Sequence, residues 1–264
     1  MLAVFLLFMW HPATWAHIGF TVLVTLLVSV GLVEFFAMVA RRDIEAEKVA
    51  AVVMGALVVI SGHFGDPMMV NRVLVAGAVV VAGFHIVRGR HTLPGIGASI
   101  FGMVYVGWFG AHVTLLRSWP DQGPALIFML FTAVILTDTF AYAVGSMIGR
   151  TKLAPAVSPN KTWEGSLGGL AFAVGGMCIL YALQQREALP GLPAWPLWRY
   201  AVVAVALAVT AQIGDLIESC LKRDAGVKDS GTILPGHGGV LDRCDGFLFA
   251  APVLYYVVLP LCNS

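Results

Sequence analysis

The sequence predicts an all-α integral membrane protein whose chemistry is gathered in polar segments at the ends of its spans. Hydrophobic residues make up 59% of the 264 positions and charged residues only 12%, a balance foreign to soluble domains. The apolar residues fall into runs close to the roughly 20 residues that cross a bilayer as helix. These runs lack the alternation of a membrane barrel strand. Helices, which satisfy their own backbone groups in lipid, are therefore the remaining choice.

Eight runs qualify, near residues 17–40, 47–63, 69–87, 95–116, 124–148, 165–184, 199–221 and 244–261. Residues 1–10 are apolar but only half a span long. They lack the basic n-region of a secretory signal, although Ala13 to Ala16 faintly imitates a cleavage site, and they read as a short ninth helix. The whole chain, 1–264, reads as one polytopic membrane domain, with N-terminal helices in 1–116 and chemistry-bearing helices and loops in 124–261.

Orientation follows from the cations. With the loop after the first span cytoplasmic, Arg41, Arg42, Lys48, Arg88, Arg90, Arg150, Lys152, Lys161, Lys222, Arg223, Lys228 and Arg243 fall inside. Only Arg72, Arg117, Arg186 and Arg199 fall outside. This positive-inside bias places the polar loops 150–164 and 222–243 together on the cytoplasmic side, facing a polar cavity. Pro190, Pro193 and Pro196 with Trp195 and Trp198 read as an interfacial loop on the other side. A net charge of +1 argues against a nucleic-acid partner. Cys178, Cys220, Cys244 and Cys262 are scattered with no paired spacing, so neither a zinc site nor a disulfide framework is indicated. His11, His17, His63, His85, His91 and His112 show no ligand spacing either.

Three polar clusters carry candidate chemistry. Asp138 and Tyr142 share a helix face within a span, where an aspartate costs roughly 3 kcal/mol and needs compensation. Gly145 and Gly149 at the end of that run suit close helix packing. The following Ser158-Pro159-Asn160-Lys161-Thr162 turn offers hydroxyls, an amide and an ammonium. It reads equally as a helix start capped by Thr162 and Glu164 or as a phosphate contact.

The second cluster sets Asp215, Glu218, Ser219 and Lys222 at i, i+3, i+4 and i+7, one continuous helical face. The third puts Asp242 and Asp245 three apart at the start of the last run. Asp215, Asp242 and Asp245 can converge on hard cations, which take oxygen ligands. The alternative is a set of ion pairs with Lys222, Arg223 and Arg243. Between these clusters, Gly236, Gly238 and Gly239 flank His237 and suit close approach to an anion. Phosphate contact is the preferred role of His237, ahead of acid–base work.

Ser219, Leu221, Lys222, Arg223, Lys228, Asp229, Gly231, Leu234, Pro235, His237, Gly238, Gly239, Val240, Asp242, Arg243 and Asp245 stand in the order and spacing of a known motif. The segment resembles that of the phosphatidate cytidylyltransferases, the CDP-diacylglycerol synthases. Cys244 departs from it, standing where that family usually has an aliphatic residue or threonine. The stretch from Asp138 to Gly165 resembles a second block of the same family. The N-terminal half is similar only in hydropathy and in Glu34 near a helix end.

The resemblance implies a Mg²⁺-dependent transfer of CMP from CTP to phosphatidic acid, giving CDP-diacylglycerol and pyrophosphate. It also implies residence in the bacterial cytoplasmic membrane and a homodimer. On that basis Asp215, Asp242 and Asp245 are expected to hold Mg²⁺ and a second cation such as K⁺. Lys222, Arg223, Lys228, Ser219 and the His237-Gly238-Gly239 segment are expected around CTP. Ser158, Lys161 and Arg243 are expected at the lipid phosphate or shared with the nucleotide, and Asp138, Tyr142 and Glu164 as supports of the cavity. A CTP-dependent enzyme acting on an ether lipid, polyprenol or phytol is the first alternative. A secondary transporter is the second, disfavoured because no repeat of broken helices is visible.

Overall fold

The computed structural model describes residues 7–11, 14–89, 92–232 and 238–262, the side chains at 259, 261 and 262 excepted. All eight predicted runs are helical. They are α1 (Thr14–Ala40), α2 (Lys48–Ser61) with a 3₁₀ turn (Gly62–Phe64), α3 (Pro67–Val87), and α4 (Leu93–Gly102) continued through a π-helical stretch (Met103–Trp108) into α5 (Phe109–Arg117). Then come α6 (Gly123–Ile148), α7 (Trp163–Gln185), α8 (Leu197–Asp224) and α9 (Leu241–Cys262).

Six helical rods among the described residues are long and apolar enough to cross a membrane: α1, α3, α4 through α5, α6, α7 and α8. The protein is an all-α membrane protein in its architecture. α2 is apolar but shorter, and α9 opens with Asp242, Arg243 and Asp245 and holds Pro252 and Pro260 inside. Of the predicted ninth helix, residues 7–10 are helical and residues 1–6 lie outside the described residues.

Local chemistry sets several helix starts. Pro67 begins α3 while the Asp66 carboxylate accepts from the Met68 N–H at 2.8 Å. The Thr92 hydroxyl accepts from Gly95 N–H ahead of α4. Both side chains satisfy donors that have no partner within the helix.

The segment 150–164, expected as a plain loop, contains two short antiparallel strands. β1 (Lys152–Ala154) pairs with β2 (Ser158–Thr162), with Lys152 opposite Thr162 and Ala154 opposite Ser158. Pro155 and Pro159 exclude helix here, and the turn closes through Val157 N–H to Ala154 C=O at 3.1 Å. Thr162 caps α7 as predicted, accepting from Gly165 N–H at 3.1 Å. Glu164 instead reaches back and accepts from the N–H groups of Arg150 and Thr151 at 3.1–3.2 Å. It fastens the start of the hairpin to the start of α7.

The chain divides into two compact units. One comprises residues 1–119 with 221–244, the other 120–220 with 245–264. In the first, Phe20, Leu32, Val58, Val59, Met103 and Tyr105 are buried. A polar staple ties the ends of α2, α3 and α4. Arg88 donates to the buried Glu47 at 2.7 Å, Glu47 N–H donates to Ser99 Oγ, and His85 Nε2 lies 3.0 Å from the same oxygen. His85 is thus a satisfied core residue.

In the second unit α6 and α7 pack backbone to backbone. A methyl group at Gly165 would come 2.5 Å from the Ala141 carbonyl oxygen, and one at Gly169 would strike the Thr137 carbonyl. Gly145 faces Gly165 in the same seam, the close packing expected of small residues spaced four apart. The Phe140 and Phe172 rings stack 3.6 Å apart between these helices.

Gly169→Ala should therefore destabilise the protein by about 1–3 kcal/mol through overpacking. Gly175→Ala, where a methyl group meets nothing within 4 Å, should be neutral or stabilise by up to about 1 kcal/mol from helix propensity. Melting temperatures of the two variants in detergent test the contrast, and equal values would refute the packing argument.

Candidate functional site

The predicted residues gather in two groups, one within each unit. In the first unit the group is a loop held by carboxylates. Glu34, on α1 and only 3% exposed, accepts from Val240 N–H at 3.0 Å and Leu241 N–H at 2.8 Å, with Ser230 Oγ 3.2 Å away. Those amides open α9, where helix N–H groups lack intrahelical acceptors and a negative charge is favoured. Asp242 closes the other side. Its Oδ2 accepts from Gly239 N–H at 2.8 Å and from the N–H and Oγ of Ser230, each at 2.9 Å. Its Oδ1 receives Lys222 Nζ at 2.6 Å.

Gly238 sits at φ +80, and a methyl group there would come 2.9 Å from Asp242 Oδ2. The position needs glycine for its backbone conformation and for space. Arg223, Lys228 and Arg243 are exposed around this loop. His237 lies outside the described residues.

In the second unit the group is acidic. Carboxylate oxygens of Asp215, Glu218 and Asp245 all lie within 4.8 Å of one another. Glu218 is buried, at 1% exposure. The convergence depends on Gly214, because a methyl group there would stand 2.6 Å from the Asp245 carbonyl oxygen. The missing side chain lets α8 and α9 approach, bringing their acids together. Asp215 also pairs with Lys161 Nζ at 2.5 Å, and Ser219 Oγ lies 3.5 Å from Asp215 Oδ1.

Beside that pair lies a cavity of about 440 Å³ whose lining includes Asp138, Tyr142, Lys161, Ser166, Gln212 and Asp215. Ser166 Oγ donates to Gln212 Oε1, and Gln212 Nε2 donates to the Ser166 carbonyl at 3.3 Å. This polar bridge links α7 and α8 at the cavity wall. The cavity combines a cation, two carboxylates and neutral polar groups with apolar wall.

A family model described as the cytidylyltransferase family matches residues 1–261. The chain belongs to the cytidylyltransferase family. It is 46% identical over 161 residues to a phosphatidate cytidylyltransferase of Brucella abortus biovar 1 (strain 9-941), covering 61% of this chain and 57% of that relative. It is 30% identical over 276 residues to the phosphatidate cytidylyltransferase of Synechocystis sp. (strain ATCC 27184 / PCC 6803 / Kazusa), covering 93% and 91% of the two chains. Against that of Bacillus subtilis (strain 168) the identity is 40% over 167 residues, 63% and 60% of the two. The chain thus spans 57% of the length of the Brucella relative it matches.

Against the sequence expectations, two residues change emphasis. Glu218 stands beside Asp215 and Asp245, although the sequence assigned it no ligand role. Its place three residues after Asp215 was the available signal. Asp242, expected with those acids, belongs to the first unit and binds Lys222 and the glycine-rich loop, the ion-pair alternative weighed above. The backbone donors of Gly239, Val240 and Leu241 are likewise engaged by Asp242 and Glu34.

Glu34→Gln should leave at least one of these donors without its charged acceptor, loosening the loop by about 1–3 kcal/mol. Hydrogen exchange at the Val240 and Leu241 amides should accelerate while exchange in α6 and α7 stays unchanged. Unchanged protection at 240–241 would show that Glu34 does not hold the loop.

Proposed function

We propose that the protein is a CTP:phosphatidate cytidylyltransferase, joining CMP from CTP to phosphatidic acid to form CDP-diacylglycerol and pyrophosphate. The observation that carries this reading is the cluster of Asp215, Glu218 and Asp245, carried partly on the helix that continues to Lys222 and Arg223. A phosphate oxygen of the lipid attacks the α-phosphorus of CTP. The new P–O bond forms as the bond to the bridging oxygen breaks, and pyrophosphate leaves. Both reactants are polyanions, so the residues must neutralise charge and align the reacting atoms.

The acidic cluster offers an oxygen-only donor set, the chemistry a hard divalent cation requires. Asp215, Glu218 and Asp245 would hold Mg²⁺, which supplies polarisation of phosphate oxygens when bound. Lys161 and the polar wall of the 440 Å³ cavity suit the lipid phosphate. Lys222, fixed by Asp242, and the exposed Arg223, Lys228 and Arg243 suit the triphosphate. Because the amides at 239–241 already have acceptors, side chains rather than these amides would carry the phosphates. The cation distribution favours a cytoplasmic position for residues 150–164 and 222–243.

Purified protein in detergent with radiolabelled CTP, phosphatidic acid and Mg²⁺ should yield a CDP-lipid and pyrophosphate; a lipid phosphate with CDP would identify a kinase instead. Asp215→Asn, Glu218→Gln and Asp245→Asn should each lower turnover on the order of a hundredfold or more, with membrane insertion and exchange at 240–241 unchanged. Asp242→Asn should lower turnover and also loosen the loop. Near-normal activity of any of the first three across a Mg²⁺ titration would remove that residue from the metal set.

For sidedness, single cysteines at Ala156 and Ala225 should resist an impermeant thiol reagent in intact cells and react in inverted vesicles. Opposite labelling of the two would break the orientation.

A further inference from the structure

Within the first unit, a second groove of about 280 Å³ lies at one end of three spans. α1 closes there at Ala40, α4 opens at Leu93 and α8 closes at Asp224. Phe35, Met38, Ile44 and Phe101 contribute its apolar lining, and Arg42 and Asp224 its charged lining. The Phe35 and Phe101 rings lie 5.8 Å apart, and Phe101 keeps 43% of its surface exposed. At Gly97, on the groove wall, a methyl group would meet nothing within 4 Å, so the wall is open there. Arg42 Nε stands 3.3 Å from Asp224 Oδ2, with the side chains 54% and 64% exposed.

We propose that this groove binds a bilayer lipid with a zwitterionic, primary-amine headgroup. The phosphate would lie against Arg42, the ammonium against Asp224, and the upper part of one acyl chain against Phe35, Met38 and Phe101. Apolar lining next to paired charges at span ends matches the order of chain, phosphate and headgroup across a membrane interface. The exposed Arg42–Asp224 pair contributes little by itself, so exchanging it for two charge-assisted contacts with the headgroup meets little resistance.

The pairing also selects among lipids. A glycerol headgroup brings no cation to Asp224 and leaves that carboxylate facing a phosphate. A choline headgroup brings a cation with no N–H to donate. The groove's volume admits the headgroup region and part of a chain, not a whole lipid. This inference is independent of the catalytic reading, since neither Arg42 nor Asp224 is placed in the reaction.

The test uses the full-length protein in vesicles carrying equal mole fractions of photoreactive phosphatidylethanolamine, phosphatidylglycerol or phosphatidylcholine. Cross-links are mapped by mass spectrometry to residues 35–44, 97–101 and 221–225. Phosphatidylethanolamine should label these segments about fivefold more than the other two, the scale of one charge at a membrane surface. Asp224→Asn should bring it down to the level of phosphatidylglycerol, and Arg42→Gln should reduce labelling by all three. Asp224→Glu should retain the preference, guarding against a loss caused by misfolding. Equal labelling by phosphatidylglycerol and phosphatidylethanolamine in the unaltered protein, selectivity that survives Asp224→Asn, or unlabelled groove segments would each overturn the proposal.

Discussion

The buried carboxylate of Glu34 is the constraint on which the first unit's loop depends. An acid removed from water is tolerated only where its charge and lone pairs are met. Here they are met by the first amides of α9, with Ser230 Oγ close by. The helix gains an anionic cap, and the acid gains donors that no other element of the helix could use. The same bonds anchor both ends of the glycine-rich segment, because Ser230 precedes it and Val240 follows it. Asp242 does the same for the Gly239 and Ser230 amides and adds Lys222. A membrane helix near the start of the chain is thereby made part of the loop's architecture.

The second unit solves a different problem. Three acids whose oxygens approach within 4.8 Å repel one another, and the helices must still come close. Gly214 removes the side chain that would keep α8 from α9, and the Lys161 ammonium offsets part of the charge at Asp215. Lys161 can do so because β2 is pinned at its end by the Thr162 cap, while Glu164 ties the residues before β1 to the start of α7. The hairpin is therefore the element that delivers a cation to the acidic helix, a role that an unstructured loop would perform less reproducibly.

What could be read from the sequence follows from how far each signal reaches along the chain. A span declares itself through some twenty consecutive residues, so all eight runs were legible and their helices begin and end within a few residues of expectation. The carboxylates at 215, 242 and 245 were visible as misfits in an apolar chain. Their partners were not, because partnership is set by packing. Glu34 lies about 200 residues from the amides it accepts, and no local pattern announces that contact. Glu218 and Asp242 look alike in sequence, each three residues from another acid; helix rotation decides which of them shares oxygens with Asp215 and Asp245. The hairpin at 152–162 is too short, and too rich in proline, to show a strand period.

These placements bear on how a polyanion can be held. Glycine-rich segments often meet phosphate through backbone N–H groups, and the spacing around His237 invited that reading. Here the amides of residues 239–241 are spent on internal carboxylates, which fixes the backbone at those three residues. The cations are used differently. Arg223, Lys228 and Arg243 remain exposed, while Lys222 is held in a defined position by Asp242. Interior acids thus hold the described ends of the loop, and exposed cations surround it. Gly238 serves this arrangement through its left-handed backbone and the close approach of Asp242 Oδ2, both of which disfavour a side chain there.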